Sequence, residues 1–341
     1  MENIAIVILN WNGKDWLEQF LPSVIIHSGS ARIVVADNAS EDDSVKYLKE
    51  KFPSVELVQN AQNGGFAKGY NEALQKVKAE YYVLLNNDIE VTENWLASLF
   101  ETMQDQKVAG CQPKILSYSR KTQFEHAGAA GGFIDKNYYP FCRGRLFNEV
   151  ENDEGQYDGA SEIFWASGAC LMIRSKLFHE VGGFDEDFFA HMEEIDLCWR
   201  LKKMNYAFMV APASVVYHVG GGTLPYTSSN KIYLNFRNNL IMIAKNHDGP
   251  LFFKLFYRMF LDGIAGAKFL FSGEYKNFFA VLKAHRYFRK DLFKKTLKKR
   301  KAIKEQSTEF NAKGFYSGSI LWAFFFKKVK TFKQLNQRLF K

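Results

Sequence analysis

The chain has 341 residues, enough for one large α/β domain with an appendage or for two modest domains, and ample to bury a core. Its net charge of +8 hides an asymmetry: residues 251–341 hold 22 Lys and Arg against 5 Asp and Glu, which leaves 23 against 32 before them. An acidic front joined to a strongly basic tail points to a separate partner for the tail, while Cys111, Cys142, Cys170 and Cys198, far apart and without a CxxC pair, argue against a zinc site or a disulfide framework and read as buried small hydrophobes.

In chain order, Ile4 to Leu9 is a short apolar run without a basic flank that leads straight into polar Asn10-Trp11-Asn12. It reads as a strand of a protein that stays inside the cell rather than as a secretory signal. Further β-rich runs at Arg32 to Ala36, Val55 to Val58 and Tyr81 to Leu85 are separated by helix-sized stretches, and such alternation predicts a parallel sheet covered by helices. Ligands of open α/β sheets sit outside the carboxyl ends of the strands. There the chain is polar: Asn10-Trp11-Asn12-Gly13, Asp37-Asn38-Ala39-Ser40, Asn60 to Gly65, and Asn86-Asn87-Asp88. One such loop reads as a turn, but four in succession point to a binding site. Asp37 is suited to hydrogen-bond a base or ribose. In Asn63-Gly64-Gly65-Phe66-Ala67-Lys68-Gly69 the missing side chains let backbone approach a ligand. This stretch is neither a Walker A loop nor a GxGxxG fingerprint.

Asp88, at the end of an apolar strand, can hold Mg²⁺ or Mn²⁺ against a diphosphate, since hard divalent ions take a few carboxylate oxygens together with water and phosphate. A second ligand is offered by His218, which ends the run Val215-Val216-Tyr217 and opens the glycine-rich stretch Val219-Gly220-Gly221-Gly222-Thr223. By itself a His beside glycines reads as structural. A third constellation runs from Phe184-Asp185-Glu186-Asp187 through His191-Met192-Glu193-Glu194-Ile195-Asp196 to Arg200, an acidic cluster interleaved with aromatics. Helical spacing places Glu193, Asp196 and Arg200 near one face, where they form internal ion pairs or offer a carboxylate as general base.

In order as well as content, these motifs resemble glycosyltransferase family 2 and, within it, the rhamnosyltransferase-like branch that builds bacterial surface polysaccharides. Val7-Ile8-Leu9-Asn10-Trp11-Asn12 looks like the family's opening strand, Asp37-Asn38-Ala39-Ser40 like its nucleotide-binding loop, and Asn63 to Asn71 like its third stretch. Asn86-Asn87-Asp88 occupies the place of the DxD metal motif with Asn at the first position, leaving Asp88 as the metal carboxylate. Trp165-Ala166-Ser167-Gly168-Ala169-Cys170 and Val181-Gly182-Gly183-Phe184-Asp185-Glu186 match the acceptor-side segment. Glu193-Glu194-Ile195-Asp196-Leu197 falls where the family reads Glu-Asp-Val-Asp-Leu.

The resemblance implies a GT-A type, Rossmann-like, mostly parallel sheet flanked by helices over residues 1–246, followed by a basic helical extension over 247–341. It implies a donor site drawn from Asn10, Asn12, Asp37, Asn38, Asn63, Gly65, Lys68, Asn87 and Asp88. Trp165, Gly168, Ala169, Asp185 and Arg200 fall on the acceptor side, and Asp88 and His218 at a divalent cation. The activity implied is an inverting, single-displacement transfer of a sugar, rhamnose or another deoxysugar being favoured, from a nucleoside diphosphate to a saccharide or lipid-linked saccharide. Glu194 is its general base, with Glu193 or Asp196 as alternatives, and an ordinary carboxylate pKa of about 4 would suffice.

In the tail, Phe and Tyr alternate with Lys and Arg from Leu251 to Phe293. Lys254, Arg258, Asp262 and Lys268 interrupt the best apolar run, so the expectation is a helix lying on an anionic membrane surface rather than crossing it. The densest basic part, Phe288 to Lys304, is expected to carry that contact unless it is merely a solvated helix. Together these readings place the protein in the cytoplasm, peripheral to the inner face of the cell membrane. The competing readings are a nucleotide-sugar-binding protein without activity and a nucleic-acid-binding protein; no zinc-finger, RNP or helix-turn-helix pattern supports the latter.

Overall fold

Six consecutive apolar residues from Ile4 to Leu9 make a strand that is apolar on both faces, and such a strand belongs in the middle of a covered sheet. The computed structural model, which describes residues 3–126, 128–220 and 228–341, places it there. In chain order the elements are β1 (Ile4–Asn10), α1 (Lys14–His27), β2 (Arg32–Asp37), α2 (Ser44–Lys51), β3 (Glu56–Gln59), α3 (Gly65–Leu74), β4 (Tyr81–Asn86), β5 (Ile89–Val91), α4 (Trp95–Thr102) and β6 (Val108–Ser117). Four short strands follow: β7 (Gly132–Asp135), β8 (Pro140–Cys142), β9 (Arg145–Leu146) and β10 (Glu149–Val150). Then come β11 (Ser161–Ile163), β12 (Cys170–Arg174), α5 (Ser175–Glu180), α6 (Glu193–Lys202), β13 (Ala207–His218), α7 (Ser229–Asn246), α8 (Leu251–Phe271), α9 (Tyr275–Tyr287), α10 (Phe293–Gln306) and β14 (Phe315–Tyr316).

The main sheet has the order β11-β13-β6-β12-β4-β1-β2-β3, with β5 added alongside β13. It is parallel from β4 to β3 and again between β6 and β13, while β12 runs antiparallel between β4 and β6. Strand side chains alternate between faces. Ala5 and Val7 therefore enter a core shared with Tyr70, Leu74, Ile195 and Leu240 of α3, α6 and α7, whereas Ile4, Ile6 and Ile8 enter a second core under α1 and α4 with Leu17, Leu21, Trp95 and Leu99. The four strands read from the sequence thus appear within a residue or so of their expected bounds. The four cysteines are free and buried.

The tail departs from the expected helical extension. Helices α8, α9 and α10 are present, but residues beyond 306 fold back and supply β14, which pairs with β7 in a second sheet of order β10-β9-β8-β7-β14. Phe332 packs tilted on Phe133 with centroids at 4.7 Å, while Phe340 meets Phe133 and Tyr316 meets Phe141 edge to face at 5.5 and 5.9 Å. So small a sheet needs apolar cover, and these aromatics provide it. Helix α10 also differs from expectation. Lys295 and Lys299 bind the Asp187 carboxylate at 2.5 and 2.6 Å, Lys299 also reaches Asp185, and Arg300 donates to the carbonyls of His247 and Gly249. Part of the densest basic stretch is therefore turned against the acidic front.

Candidate active site

The loops after β1, β2 and β3 are tied into one surface by short amides. Asn10 Nδ2 donates to Asp37 Oδ1 (3.4 Å) and to Ser40 Oγ (3.3 Å), and the Ser40 amide donates to Asp37 Oδ2 (3.0 Å). Asn12 and Ala39 adopt left-handed backbone with φ of 49° and 60°, and the Asn12 amide donates to Ser40 Oγ (2.9 Å). Asn38 Nδ2 reaches Asn63 Oδ1 (3.0 Å) and the Gly65 carbonyl (3.1 Å), while Asn63 Oδ1 accepts from the Gly65 amide (2.9 Å). Asn87 Nδ2 donates to Asn10 Oδ1 (2.8 Å), joining the fourth strand end to the first. A side chain at Gly13 would collide with both of those amides, so glycine is required for that closure. Lys68 projects from α3 and pairs with Glu72 at 3.5 Å.

Strand register brings His218 to Asp88. β13 pairs antiparallel with β5 so that His218 stands opposite Ile89, the residue after Asp88. His218 Nε2 lies 3.1 Å from Asp88 Oδ1, the Asn86 amide lies 3.4 Å from the same nitrogen, and His218 Nδ1 lies 3.2 Å from Glu125 Oε2. All three of Asp88, Glu125 and His218 are buried. Burial alone would depress the ring's basicity, yet the Asp88 and Glu125 carboxylates push it up to about 10. The arrangement fits a divalent cation. A carboxylate oxygen and an imidazole nitrogen already meet at one point, and a carboxylate on the far ring nitrogen is the partner that orients a metal-bound histidine. Among the described residues no three His, Cys, Asp or Glu side chains form a ready cation cage, so an ion held here would draw its remaining ligands from diphosphate and water. The glycine-rich stretch Gly221-Gly222-Thr223 lies outside the described residues.

The acidic segment reaches the same region through β12. The Asn86 amide donates to the Ala169 carbonyl (2.9 Å), and the adjacent Gly168 lies so close to Phe66 and Glu194 that a Cβ there would sit 3.1 Å from the Phe66 ring and 3.7 Å from Glu194 Cβ. Glu194 opens α6. Burial pushes its carboxyl up to about 7, against the lowering pull of amides at the helix start, and its Oε2 has no hydrogen-bond partner among the described residues. The ordinary carboxylate pKa expected from sequence is corrected accordingly. Burial and then the Glu194 charge raise Glu193 well above the carboxylate range, because two adjacent buried carboxylates resist ionising together.

The approach to Glu194 is held in an uncommon conformation. Phe189, His191 and Met192 all have left-handed backbone, with φ of 64°, 71° and 75°. Such residues persist only where their surroundings hold them. Here α7 does so: Asn238 Nδ2 serves the carbonyls of Phe188 (2.9 Å), Ala190 (2.8 Å) and His191 (2.7 Å), and Arg237 serves those of Asp187 and Phe188 (both 2.8 Å). The Phe189 carbonyl in turn accepts from the Phe66 amide (2.7 Å), so the start of α3 and the start of α6 share one turn.

Three expected acceptor-side residues and one alternative base belong to the scaffold instead. Asp196 is fully buried and bound by Arg200 Nε (2.9 Å), Lys245 Nζ (2.8 Å) and Asn246 Nδ2 (2.8 Å), which leaves it no role as a base. Arg200 spends its other nitrogens on the carbonyls of Val181 and Gly183. The Asp185 side chain is buried and bound by Lys245 (2.6 Å) and Lys299; although desolvation opposes it, these ammonium groups hold its carboxyl below the usual range. Trp165 is turned into the second sheet, its Nε1 donating to the Phe133 carbonyl (2.9 Å).

Residues 5–182 match the family described as Glycosyl transferase family 2, more than half of the chain. A low-salt glycan biosynthesis hexosyltransferase of Haloferax volcanii is 24% identical over 251 residues, covering 71% of this chain and 75% of its own. An N-acetylglucosaminyl-diphospho-decaprenol L-rhamnosyltransferase of Mycobacterium tuberculosis is 21% identical, covering 72% and 85%. A dTDP-rhamnosyl transferase of Shigella flexneri is 26% identical, covering 63% and 71%. Among solved structures, GalNAc-T7 with UDP, GalNAc and Mn²⁺ superposes with a TM-score of 0.58 at 16% identity over 86% of this chain, which spans 58% of that one. A mannosyltransferase from Pyrobaculum calidifontis in complex with GDP-Man and Mn²⁺ gives 0.53 at 13% identity, over 89% of this chain and 85% of its own. At those identities the superpositions speak for the GT-A fold.

Proposed function

This chain belongs to glycosyl transferase family 2, and we propose that it is a metal-dependent, inverting glycosyltransferase using a nucleoside diphosphate sugar, a deoxysugar such as rhamnose being the favoured donor. The observation that supports the reading is that the Asp88–His218 pair stands where β4 and β13 end, while Asn86, two residues before Asp88, hydrogen-bonds Ala169, next to the Gly168 against which Glu194 packs. The loops of Asn10, Asn12, Asp37, Asn38 and Asn63 line the donor side, the buried Asp37 carboxylate accepting from Asn10 and Ser40 and so holding the loop that would meet base or ribose. Asp88 and His218 would hold Mg²⁺ or Mn²⁺, which supplies Lewis acidity to a departing diphosphate. Glu194, near half-ionised at neutral pH, takes the proton of the acceptor hydroxyl as that hydroxyl attacks the anomeric carbon, and inversion follows from the single displacement. Burial and then the Glu194 charge push Glu193 toward its neutral form, so that less of its charge adds to that of Glu194.

The acceptor is a saccharide, free or lipid-linked, as in synthesis of a surface polysaccharide. A lipid-linked acceptor puts the enzyme at the inner face of the cell membrane as a peripheral protein. The rhamnosyl relatives named above support the donor class, and the ion pairs that Lys295 and Lys299 make with Asp185 and Asp187 weigh against a nucleic-acid partner.

Calorimetric titration with dTDP, UDP and GDP and their sugars, each with and without Mn²⁺, tests the proposal directly. One nucleotide is expected to bind in a Mn²⁺-dependent manner; silence across all three would remove the donor site. A second expectation concerns α7. Asn238→Ala releases three carbonyls of the left-handed turn, and misplacing the base by even about 1 Å costs up to ~100-fold in rate. Turnover should fall by about tenfold or more with donor affinity held within about threefold, and the acid limb of the pH profile should shift. A parallel loss of donor binding and of turnover, with the pH profile unmoved, would reduce Asn238 to a general fold contact.

A further inference from the structure

Helix α8 is inside out. Lys254, Arg258 and Asp262, spaced four residues apart, turn toward the protein: Arg258 Nε donates to Asp262 Oδ1 (2.8 Å), and Asp262 Oδ2 lies 3.2 Å from His285 of α9. Lys254 and Arg258 lie over the rings of Tyr138 and Tyr139, at 4.4 and 3.8 Å from their centroids. The opposite face carries Phe253, Phe256, Phe260 and Ile264, which are 74%, 66%, 58% and 55% exposed. A helix on a water-facing surface puts its charges out and its apolar stripe in. This one does the reverse, and the charges that seemed to interrupt the apolar run leave its outer face uninterrupted as far as Lys268.

The apolar surface does not end with α8. Phe271 stands exposed at the end of α8 and Phe279 on the neighbouring α9, and Phe325, in the turn of residues 322–326, lies 6.0 Å from Lys268 with the 68% exposed Phe326 beside it. Single exposed aromatics need no explanation, but a contiguous surface of them marks a place of contact. Lys268, Lys276 and Lys283 stand exposed on the same two helices. An aromatic centre beside exposed lysines is complementary to an anionic lipid layer, in which rings enter the acyl boundary and ammonium groups meet headgroups. Among the described residues no helix is long and apolar enough to cross a membrane.

We infer that the outer face of α8, with the adjoining residues of α9 and the 322–326 turn, is the surface by which this protein lies in the headgroup layer of an anionic membrane. The contact is therefore aromatic first and basic second, and it does not sit on the Lys-rich stretch 288–304, where Lys299 and Arg300 are already engaged within the protein. The inference deepens the membrane-side acceptor proposed above and rests on it only for its purpose, because adhesion to lipid needs no transfer.

Vesicle flotation of the full chain with phosphatidylcholine, with and without phosphatidylglycerol, decides the matter. Phe253→Ser, Phe256→Ser and Phe260→Ser combined should lower the bound fraction at least about tenfold on anionic vesicles, with nucleotide binding and thermal melting unchanged. Lys268→Glu with Lys276→Glu should weaken only the salt-sensitive part of the binding, and Lys294→Glu with Lys298→Glu should change it by less than about twofold. Should the triple variant melt early, a polarity-sensitive dye on Phe256→Cys replaces it. The four native cysteines are buried, so labelling is selective, and vesicles should shift the dye's emission to the blue. Wild-type flotation of the triple variant, or unshifted emission, overturns the inference. So does a lipid-free dimer that the triple variant converts to monomer, since the face would then be covered by a second copy. Loss of nucleotide binding with vesicle binding intact would sink the transferase reading and leave this one standing.

Discussion

Glu194→Gln is expected to lower transfer by a factor on the order of 10² to 10⁴, the usual span for a positioned general base, while metal-dependent binding of the donor persists. The amide keeps the size and can still lie against Gly168 and Phe66, but it cannot accept the acceptor's proton. The wild-type pH dependence follows from the same residue. A base works in its ionised form, and burial has raised this carboxyl to about 7, so the ionised fraction grows as pH rises through that value and is lost below it. The rate should fall by about tenfold for each unit of pH below the limb, and Glu194→Gln should show no such limb. Glu193 offers the control. Burial pushes it toward the neutral acid, which Gln mimics, and Glu193→Gln should keep turnover within a few-fold. If Glu193→Gln is the silent variant and Glu194→Gln is active, the two carboxyls exchange roles.

The donor half of this site was legible in the sequence because its signals are local. Each strand is an apolar run, each run ends in Asn, Asp or Gly, and the topology of an open sheet gathers those ends whatever the details of packing. The acidic segment was legible only in outline. Helical spacing marked Asp196 and Arg200 as a pair, yet what retires Asp196 from chemistry is Lys245 and Asn246, some fifty residues away on α7. Glu125 carried no signal: a lone Glu in a loop gains meaning only when the β13 register sets His218 between it and Asp88. Asn238 did carry one. Asn238 comes just before the apolar stretch Leu240-Ile241-Met242-Ile243 on a helix that must be buried, where a polar side chain is costly without partners, and its three carbonyls are those partners. The surface role of helix α8 was legible, but which of its faces is turned outward was not, for a geometric reason. Reading along the sequence, charges at Lys254, Arg258 and Asp262 interrupt an apolar run; reading around the helix at four-residue spacing, they share one stripe and leave the other face to the aromatics.

Asp88→Asn is expected to abolish the Mn²⁺-dependent part of nucleotide binding, a loss of about 100-fold or more at saturating metal, while the protein still folds. The two halves of that expectation come from one arrangement. His218 sits between the carboxylates of Asp88 and Glu125. Neutralising Asp88 leaves the ring its Glu125 partner, so the chain still folds, although it loses the charge that does most to hold the ring protonated. It also removes the hard anionic oxygen that a divalent cation requires, and an amide oxygen is a poor substitute. The neighbours should rank accordingly. His218→Gln takes away the second ligand and should cost nearly as much, whereas Glu125→Gln disturbs only the partner that orients the ring and should cost about 10-fold. An Asp88→Asn protein that binds nucleotide with full Mn²⁺ stimulation would place the cation elsewhere. The ion pair of Asp88 and His218 would then be a bolt between β4 and β13, and its loss should appear in the melting temperature instead.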